Sequence, residues 1–252
     1  MKLNTLTWGN PAADRSAVLI HGVTSNALSW VRVGPALAEV GYYVVAPDLR
    51  GHGQSPKADG QYALNLMVDD LAESVPTTPT FLVGHSYGGV MGILATARGV
   101  IQPTYLILED PVLHLADQAL PAKLLKDDEA SLPRDVEGTM KANPKWHRAD
   151  AEGKVDSLRS IDWDHMRQVF SENAPWDLRQ TVVDIAQSTP TLLLLPEDSF
   201  YVPNPDAAAI IATLGNEAIT YIPDTGHSIH RDDLESFLKA TYAWLAQQSA
   251  GV

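Results

Sequence analysis

The segment Phe81-Leu82-Val83-Gly84-His85-Ser86-Tyr87-Gly88-Gly89 is the strongest local signal for the fold, because it predicts a strand, a sharp turn and a helix in direct succession. Its apolar start predicts a short buried strand, and the residues from Gly88 onward predict a helix. Ser86 then lies on a sharp strand-to-helix turn, where flanking glycines are needed because the turn leaves no room for side chains. This arrangement exposes the serine hydroxyl at the edge of a sheet, as a nucleophile requires.

Short apolar segments alternate with helical segments along most of the chain. They are too short for helices and lack strict alternation, as expected for strands that are covered on both faces. The pattern predicts an α/β fold with a mostly parallel, doubly wound sheet. The predicted strands are Ala17–Ile20, Tyr42–Ala46, Thr80–Val83, Tyr105–Leu108, Thr191–Leu195 and Ala218–Ile222. The predicted helices are Leu28–Val40, Ala63–Ser74, Gly88–Arg98, Pro205–Leu214 and Asp232–Gln248.

The alternation stops between Pro111 and Trp176, where charged helical stretches contain three tryptophans. We interpret residues 111–176 as a helical cap inserted into one core formed by residues 1–110 and 177–252. An ordinary helical extension is the alternative, because tryptophan is also a good core residue. Apolar residues of the cap region suggest a wall for an acyl pocket: Trp146, Trp163, Met166 and Trp176, together with Leu28.

Composition excludes several classes of partner and chemistry. The chain has 252 residues with 31 acidic and 18 basic side chains, giving a formal charge of −13, which repels nucleic acid and anionic membranes. This charge favours neutral or cationic small molecules unless the cleft is locally basic. The chain has no cysteine, so thiolate nucleophiles, thiolate metal sites and disulfides are absent.

Targeting and cofactor motifs are also missing from the sequence. The N-terminal residues have no apolar run of signal-peptide length, and no stretch approaches the ~18 to 20 apolar residues of a membrane span. We therefore expect a cytoplasmic protein without a membrane partner. Ligand spacing for a metal and a Gly-rich phosphate loop after the first strand are not seen, so neither metal nor cofactor is expected.

A serine hydroxyl needs a base within hydrogen-bond reach and a carboxylate that orients the base. The segment Asp224-Thr225-Gly226-His227-Ser228 follows the last predicted strand, so its loop emerges at the same carboxyl edge of the sheet as Ser86. His227 is the predicted general base, and His230 is its near rival. The remaining histidines lie in loop motifs (His21, His52, His85) or in or next to the cap (His114, His147, His165).

Together these motifs resemble the α/β-hydrolase superfamily over essentially the whole chain outside the cap. His21-Gly22-Val23-Thr24 matches the segment where the family places one oxyanion-hole amide, which implies the N–H of Val23. The N–H of Tyr87, at a helix start, would be the second donor. Asp48-Leu49-Arg50-Gly51-His52-Gly53-Gln54-Ser55 is similar to a structural turn of the family.

The carboxylate of the triad is ambiguous in this sequence. In most of the family it follows the penultimate strand, where this chain has Pro196-Glu197-Asp198-Ser199 and the usual register falls on Ser199. Asp198 is the first choice, provided that the loop shifts by one residue. Some members take the acid from the end of the preceding strand, which here is Asp110. Glu197 and Glu109 are further alternatives.

The resemblance implies a serine hydrolase that acts through an acyl-enzyme, because the superfamily branches with dehalogenase or epoxide-hydrolase activity carry a carboxylate where this chain has Ser86. A carboxylesterase acting on a small ester-like substrate is the leading expectation. Lactones, carbon–carbon bonds and amides are alternative substrates for the same residues, since a fold does not fix function. A hydrolase-like receptor with slow turnover is an alternative of another class.

Overall fold

The computed structural model describes residues 1–58 and 61–250. Its strands in this range are β1 (Thr5–Trp8), β2 (Arg15–Ile20), β3 (Tyr42–Pro47), β4 (Phe81–His85), β5 (Tyr105–Glu109), β6 (His114–Leu115), β7 (Trp176–Asp177), β8 (Thr191–Pro196) and β9 (Ile219–Ile222). Seven of these strands form one sheet in the order β1-β3-β2-β4-β5-β8-β9. Every pair in this sheet is parallel except the edge pair β1 and β3.

Helices connect the parallel strands. They are α1 (Val33–Glu39), α2 (Leu64–Ser74), α3 (Tyr87–Ala97), α4 (Ala119–Ser131), α5 (Val136–Ala142), α6 (Arg148–Ser160), α7 (Trp163–Asn173), α8 (Arg179–Ala186), α9 (Asn204–Leu214), α10 (Ile229–Asp232) and α11 (Leu234–Ala250). Short 3-10 turns cover Ala27–Trp30 and Asn216–Ala218. Within the described residues, no helix is both long enough and apolar enough to cross a membrane.

The α/β fold predicted from the apolar pattern is confirmed, and all six predicted strands are present with shifts of one or two residues at their ends. The helix predicted over Leu28–Val40 is divided into a 3-10 turn and α1, and the helix predicted over Asp232–Gln248 corresponds to α11, with both ends shifted by two residues. The antiparallel edge strand β1 and helix α8 were not predicted. Edge strand β1 has four residues that are mostly half-exposed, so it lacks the apolar run of a covered strand.

Packing on both faces of the sheet explains why the sequences of the central strands are continuous apolar runs. Successive residues of β2 point to opposite faces: Val18 packs among residues of α2 and α3, and Leu19 packs among residues of α1 and α11. Both faces of the sheet are therefore buried under helices, and each strand needs apolar side chains at every position.

The turn at Ser86 is held by close backbone packing. Ser86 has φ 56° and ψ −118°, a strained conformation for a residue with a side chain. A Cβ atom at Gly84 would lie 2.4 Å from the carbonyl oxygen of Gly88, and one at Gly88 would lie 2.2 Å from the carbonyl oxygen of Ile20. The glycines are thus required by contact between β4, α3 and the end of β2.

Helices α4 to α7 occupy the segment between β5 and β8 that the sequence predicts as a cap. Strands β6 and β7 pair antiparallel, with His114 opposite Asp177 and Leu115 opposite Trp176, and this pair brings the two ends of the segment together. Helix α6 packs on the 3-10 turn Ala27–Trp30, where a Cβ at Gly153 would meet the carbonyl oxygen of Leu28 at 2.9 Å. The segment therefore contacts the loop that follows β2.

The substitution Gly88→Ala tests the packing at the turn. We expect it to lower the free energy of unfolding by about 3 kcal/mol, because the new Cβ meets backbone that cannot rotate away. Gly92→Ala on the same helix is the matched control: its Cβ meets the Cδ2 end of Leu82 and alanine favours the helix, so a smaller loss is expected. Urea unfolding measures both values, and equal losses would contradict the steric account.

Candidate active site

Three polar residues meet at the carboxyl edge of the parallel sheet. Ser86 follows β4, Asp110 follows the neighbouring strand β5, and His227 lies in the loop after β9. The register pairs His85 with Glu109, so Ser86 and Asp110 leave the sheet at the same level. The N–H of Ser86 donates to the carbonyl of Glu109 at 2.9 Å, and the N–H of Asp110 donates to the carbonyl of Leu194 at 2.9 Å. The sheet itself therefore sets these two positions.

The imidazole of His227 is hydrogen-bonded to Asp110. Its Nδ1–H donates to Oδ2 of the buried Asp110 carboxylate at 2.6 Å. His85 Nε2–H donates to the main-chain carbonyl of His227 at 2.9 Å, and the Tyr201 ring packs 4.7 Å from the imidazole centroid. With Nδ1 engaged, Nε2 is the nitrogen left to act as a base, and His227 and Ser86 line the same cavity.

The structure places Asp110 against His227, and not Asp198, which was the first choice for the acid. Asp198 is exposed in the loop after β8 and lines neither of the cavities beside Ser86. The loop does not shift by one residue as that choice required, so Ser199 keeps the register of the usual acid. Ser199 Oγ donates to Oδ1 of Asp110 at 2.5 Å and accepts from the N–H of Val202 at 2.8 Å. A serine thus supports the acid from the position where the acid itself was expected.

Glu109 and His230 form a separate buried pair. Nδ1 of His230 lies 2.8 Å from both carboxylate oxygens of Glu109, and its Nε2 lies 3.2 Å from Oγ of Ser29. Burial lowers the pKa of His230 well below its usual value and raises the pKa of Glu109. Neither residue lines the cavities beside Ser86, so the rival base His230 is not in a position to serve it.

Histidines of the loop motifs support the segment that carries Val23. Nε2 of His21 accepts from the N–H of Leu49 at 3.0 Å, and His52 Nε2 lies 2.7 Å from the carbonyl of Val23. Burial lowers the pKa of both imidazoles, which favours their neutral forms. These contacts agree with the interpretation of both histidines as scaffold.

Asp48 holds the following turn together. Its carboxylate accepts from the N–H of Ala27 at 2.7 Å, from the N–H of Gln54 at 2.8 Å and from the amide of Asn4 at 2.8 Å. A Cβ at Gly53 would lie 2.4 Å from a carboxylate atom of Asp48. The turn is therefore scaffolding, as its sequence indicates.

The predicted oxyanion donors Val23 and Tyr87 line the same cavity as Ser86. The N–H of Tyr87 belongs to the first turn of α3, where amides have no partner within the helix. The Tyr87 hydroxyl is buried and donates to the sulfur of Met67, and burial raises its pKa. The tyrosine side chain thus belongs to the core, and only its main-chain amide is placed to act as the predicted donor.

Two cavities meet at Ser86. The first has a volume of about 330 Å³ and a mostly apolar wall that includes Val112, Leu115, Leu124, Phe170, Phe200 and Tyr201. The second, which we call the polar cavity, has a volume of about 230 Å³ and a more mixed wall, in which apolar residues such as Leu132 and Leu158 lie beside polar ones. Its polar residues include His227, Ser228, Asn143, Lys154 and Arg231. Val23, Asp128 and Tyr201 line both.

None of the residues expected to form the acyl-pocket wall lines the apolar cavity. Trp146 lines the polar cavity, whereas Leu28, Trp163, Met166 and Trp176 line neither cavity. Trp176 instead stacks behind Phe170, with ring centroids 6.0 Å apart. The idea that these tryptophans form the pocket wall is therefore wrong for Trp163 and Trp176.

Two cations of the polar cavity were not predicted from the sequence. Burial lowers the pKa of Lys154 to about 7 and the pKa of Arg231 to about 10. Lys154 is one of many charged residues on α6, and sequence pattern alone does not reveal which of them point inward. Arg231 lies in the helical turn α10, four residues after His227, and this closeness to the predicted base is the one local signal that could have identified it.

The described residues contain no group of three or more His, Asp or Glu side chains arranged to hold a metal ion.

A model of the alpha/beta hydrolase family matches residues 17–240, and the chain belongs to this family.

Known relatives have several different activities. Lipase LipV of Mycobacterium tuberculosis is 31% identical over 139 residues. The matched residues cover 54% of this chain and 47% of the lipase, so the match spans about half of each protein. The sn-1-specific diacylglycerol lipase ABHD11 of Mus musculus is 24% identical over 246 residues, covering 91% of this chain and 80% of that protein. The enol-lactonase from Burkholderia xenovorans LB400 superposes with a TM-score of 0.76 at 18% identity, over 97% of this chain and 96% of that structure. At this identity the superposition shows the fold alone.

Replacing the two aspartates one at a time tests the position of the acid. Asp110→Asn should lower kcat by about 10⁴-fold, because the amide no longer holds the imidazole in the productive tautomer. Asp198→Asn is the matched control and should leave kcat within about twofold, as expected for an exposed side chain outside both cavities. Hydrolysis of p-nitrophenyl butyrate measures both, and the reverse order of effects would refute the assignment of Asp110.

Moving the acid to the next strand tests the role of Ser199. In the Asp110→Asn background, Ser199→Asp adds a carboxylate next to residue 110, in the register where the family usually has its acid, and we expect it to recover at least about tenfold of the lost kcat. Asp110→Asn combined with Ser131→Asp, which adds a carboxylate at an exposed position outside both cavities, is the control. Equal activity of the two double variants would show that Ser199 does not occupy an acid position.

Proposed function

We propose that this chain is a serine hydrolase that cleaves carboxylic esters of small molecules through an acyl-enzyme. The observation that carries the proposal is the 2.6 Å hydrogen bond between Asp110 and His227 at the wall of a cavity that also contains Ser86. A buried carboxylate that fixes an imidazole beside a serine on a strained turn is the arrangement that activates a serine hydroxyl.

In the acylation step, Ser86 Oγ attacks the ester carbonyl and its proton passes to Nε2 of His227. The oxyanion accepts hydrogen bonds from the amides of Val23 and Tyr87, which are present before the charge develops. The tetrahedral intermediate collapses when the carbon–oxygen bond to the leaving group breaks, and His227 returns the proton to the leaving alcohol. Asp110 stabilises the transient imidazolium and stays ionised.

Deacylation repeats the sequence with water. His227 takes a proton from a water molecule that attacks the acyl carbon, and the bond between that carbon and Ser86 Oγ then breaks. The proton returns to Ser86, and a carboxylic acid leaves. These steps need no electron transfer and no group beyond the chain, the ester and water.

The two cavities support a small ester as substrate. The apolar cavity has the volume and wall of a pocket for a short acyl chain, and the polar cavity lies on the side of His227, where the leaving group takes its proton. A serine at the turn also supports an acyl-enzyme over the ester intermediate that a carboxylate nucleophile forms. A ligand-binding protein with slow turnover is the competing proposal.

A panel of p-nitrophenyl acetate, butyrate and octanoate tests the proposed function. We expect turnover of ~1 to 10³ per second on the best ester, with butyrate above acetate because the apolar cavity has room for the longer chain. Ser86→Ala should lower kcat by about 10⁶-fold, because the nucleophile is lost. Ser131→Ala, a serine outside both cavities, should change nothing.

A covalent probe separates enzyme from receptor. Diethyl p-nitrophenyl phosphate should add one diethylphosphoryl group to Ser86, seen by intact mass, and the addition should be absent in Ser86→Ala. If the folded protein hydrolyses every ester far more slowly than this range, the esterase proposal fails and the receptor proposal is favoured.

A further inference from the structure

The polar cavity contains two buried cations in a chain of formal charge −13. Lys154 comes from α6 of the inserted helices, and Arg231 comes from the helical turn α10 that follows His227. Both side chains are buried, and both line the cavity that also contains Ser86 and His227. The site is therefore locally basic in a strongly acidic protein.

Neither cation is neutralised by an ion pair in the described part of the chain. Nζ of Lys154 donates to the carbonyl and hydroxyl oxygens of Thr24 at 2.8 and 2.9 Å, so one of its three N–H groups is left over. Arg231 donates from one terminal nitrogen to Ser25 at 3.0 Å and stacks on the ring of Trp146, whereas its buried Nε–H has no hydrogen-bond partner. Within the described residues, a carboxylate that enters the cavity would meet the remaining N–H of Lys154 and the guanidinium of Arg231 without displacing an ion pair.

Nearby carboxylates are engaged elsewhere or lie at the rim. Three carboxylates act on Arg231 from a distance, and each has another partner. Asp150 pairs with Arg32. Asp232 accepts from the indole of Trp146 and the N–H of Gly226, and Glu109 accepts from His230. Asp128 is the one carboxylate that lines the polar cavity among the described residues, and it is shared with the apolar cavity. Two basic side chains thus face a single carboxylate on this wall, and an anion bound beside Lys154 would favour the protonated form of its amine.

We infer that the polar cavity binds a carboxylate on the leaving group of the substrate, held by Lys154 and Arg231, while the apolar cavity takes the acyl chain. The inference rests on the proposed function and names its substrate class: esters of an apolar acid with an alcohol or phenol that carries a carboxylate. The orientation follows from proton transfer, because the leaving oxygen must lie beside His227, which lines the polar cavity. Charge-assisted hydrogen bonds supply the recognition.

Three esters test the substrate class. In 4-(butyryloxy)benzoate the carboxylate is on the leaving group, methyl 4-(butyryloxy)benzoate is its neutral counterpart, and mono-4-nitrophenyl glutarate carries the carboxylate on the acyl side. We define the selectivity as kcat/KM for 4-(butyryloxy)benzoate divided by kcat/KM for the methyl ester. Comparing this ratio between variants cancels the different intrinsic reactivities of the two esters.

We expect Lys154→Met to lower the selectivity by at least about tenfold, the loss that follows from one hydrogen bond to a charged group. Lys154→Arg keeps the charge and should recover most of the selectivity. Lys123→Met, which removes an exposed lysine of α4 outside both cavities, is the matched control and should leave the ratio unchanged. A purely structural role for Lys154 would lower both rates together and leave the ratio unchanged, and that result would overturn the inference.

Binding of the product gives a measurement that does not depend on turnover. Calorimetry with the Ser86→Ala protein should show 4-hydroxybenzoate binding at least about tenfold more tightly than methyl 4-hydroxybenzoate, and Lys154→Met should remove the difference. If the esters are hydrolysed without any effect of charge, the inference fails and the esterase proposal stands. If the anion binds but no ester is hydrolysed, the esterase proposal fails and the anion site stands. Faster hydrolysis of the glutarate ester than of p-nitrophenyl butyrate would place the carboxylate on the acyl side instead.

Discussion

The hydrogen bond from His227 to Asp110 joins parts of the chain that are 117 residues apart in sequence. Asp110 reaches it with φ 40°, a conformation uncommon for a residue with a side chain, immediately before Pro111. That turn is held from β8, through the carbonyl of Leu194 and the hydroxyl of Ser199. The imidazole is therefore oriented by the sheet, and a change in the order or register of β5 and β8 would remove the base from Ser86.

Local sequence was sufficient to place Ser86 and His227 at the same edge of the sheet, because each lies in a motif whose geometry is local. The turn at Ser86 depends on glycines within two residues, and the loop of His227 follows a strand at the known edge of the sheet. The acid was different, because Asp110 and Asp198 both follow parallel strands and β5 lies next to β8. Which of them reaches the imidazole depends on loop conformation over a few ångströms, and spacing in sequence does not determine that distance.

The inserted helices show a second limit of sequence reasoning. A continuous apolar run identifies a strand that is covered on both faces, but α6 has few apolar residues and carries Lys154, Arg148 and Arg159 on one short helix. Its inward face is defined by contact with the loop after β2, where Gly153 meets Leu28 and Lys154 meets Thr24. Tertiary contact therefore selects one lysine for the cavity. The net charge is a property of the whole chain and does not give the charge of the cavity wall.

One helix thus serves two purposes that are usually considered separately. Lys154 of α6 donates to Thr24 and so supports the segment that contains Val23, the expected oxyanion donor. The same lysine contributes to the charge of the polar cavity. Substitutions at this contact would change both the support of the amide and the electrostatic field at the site.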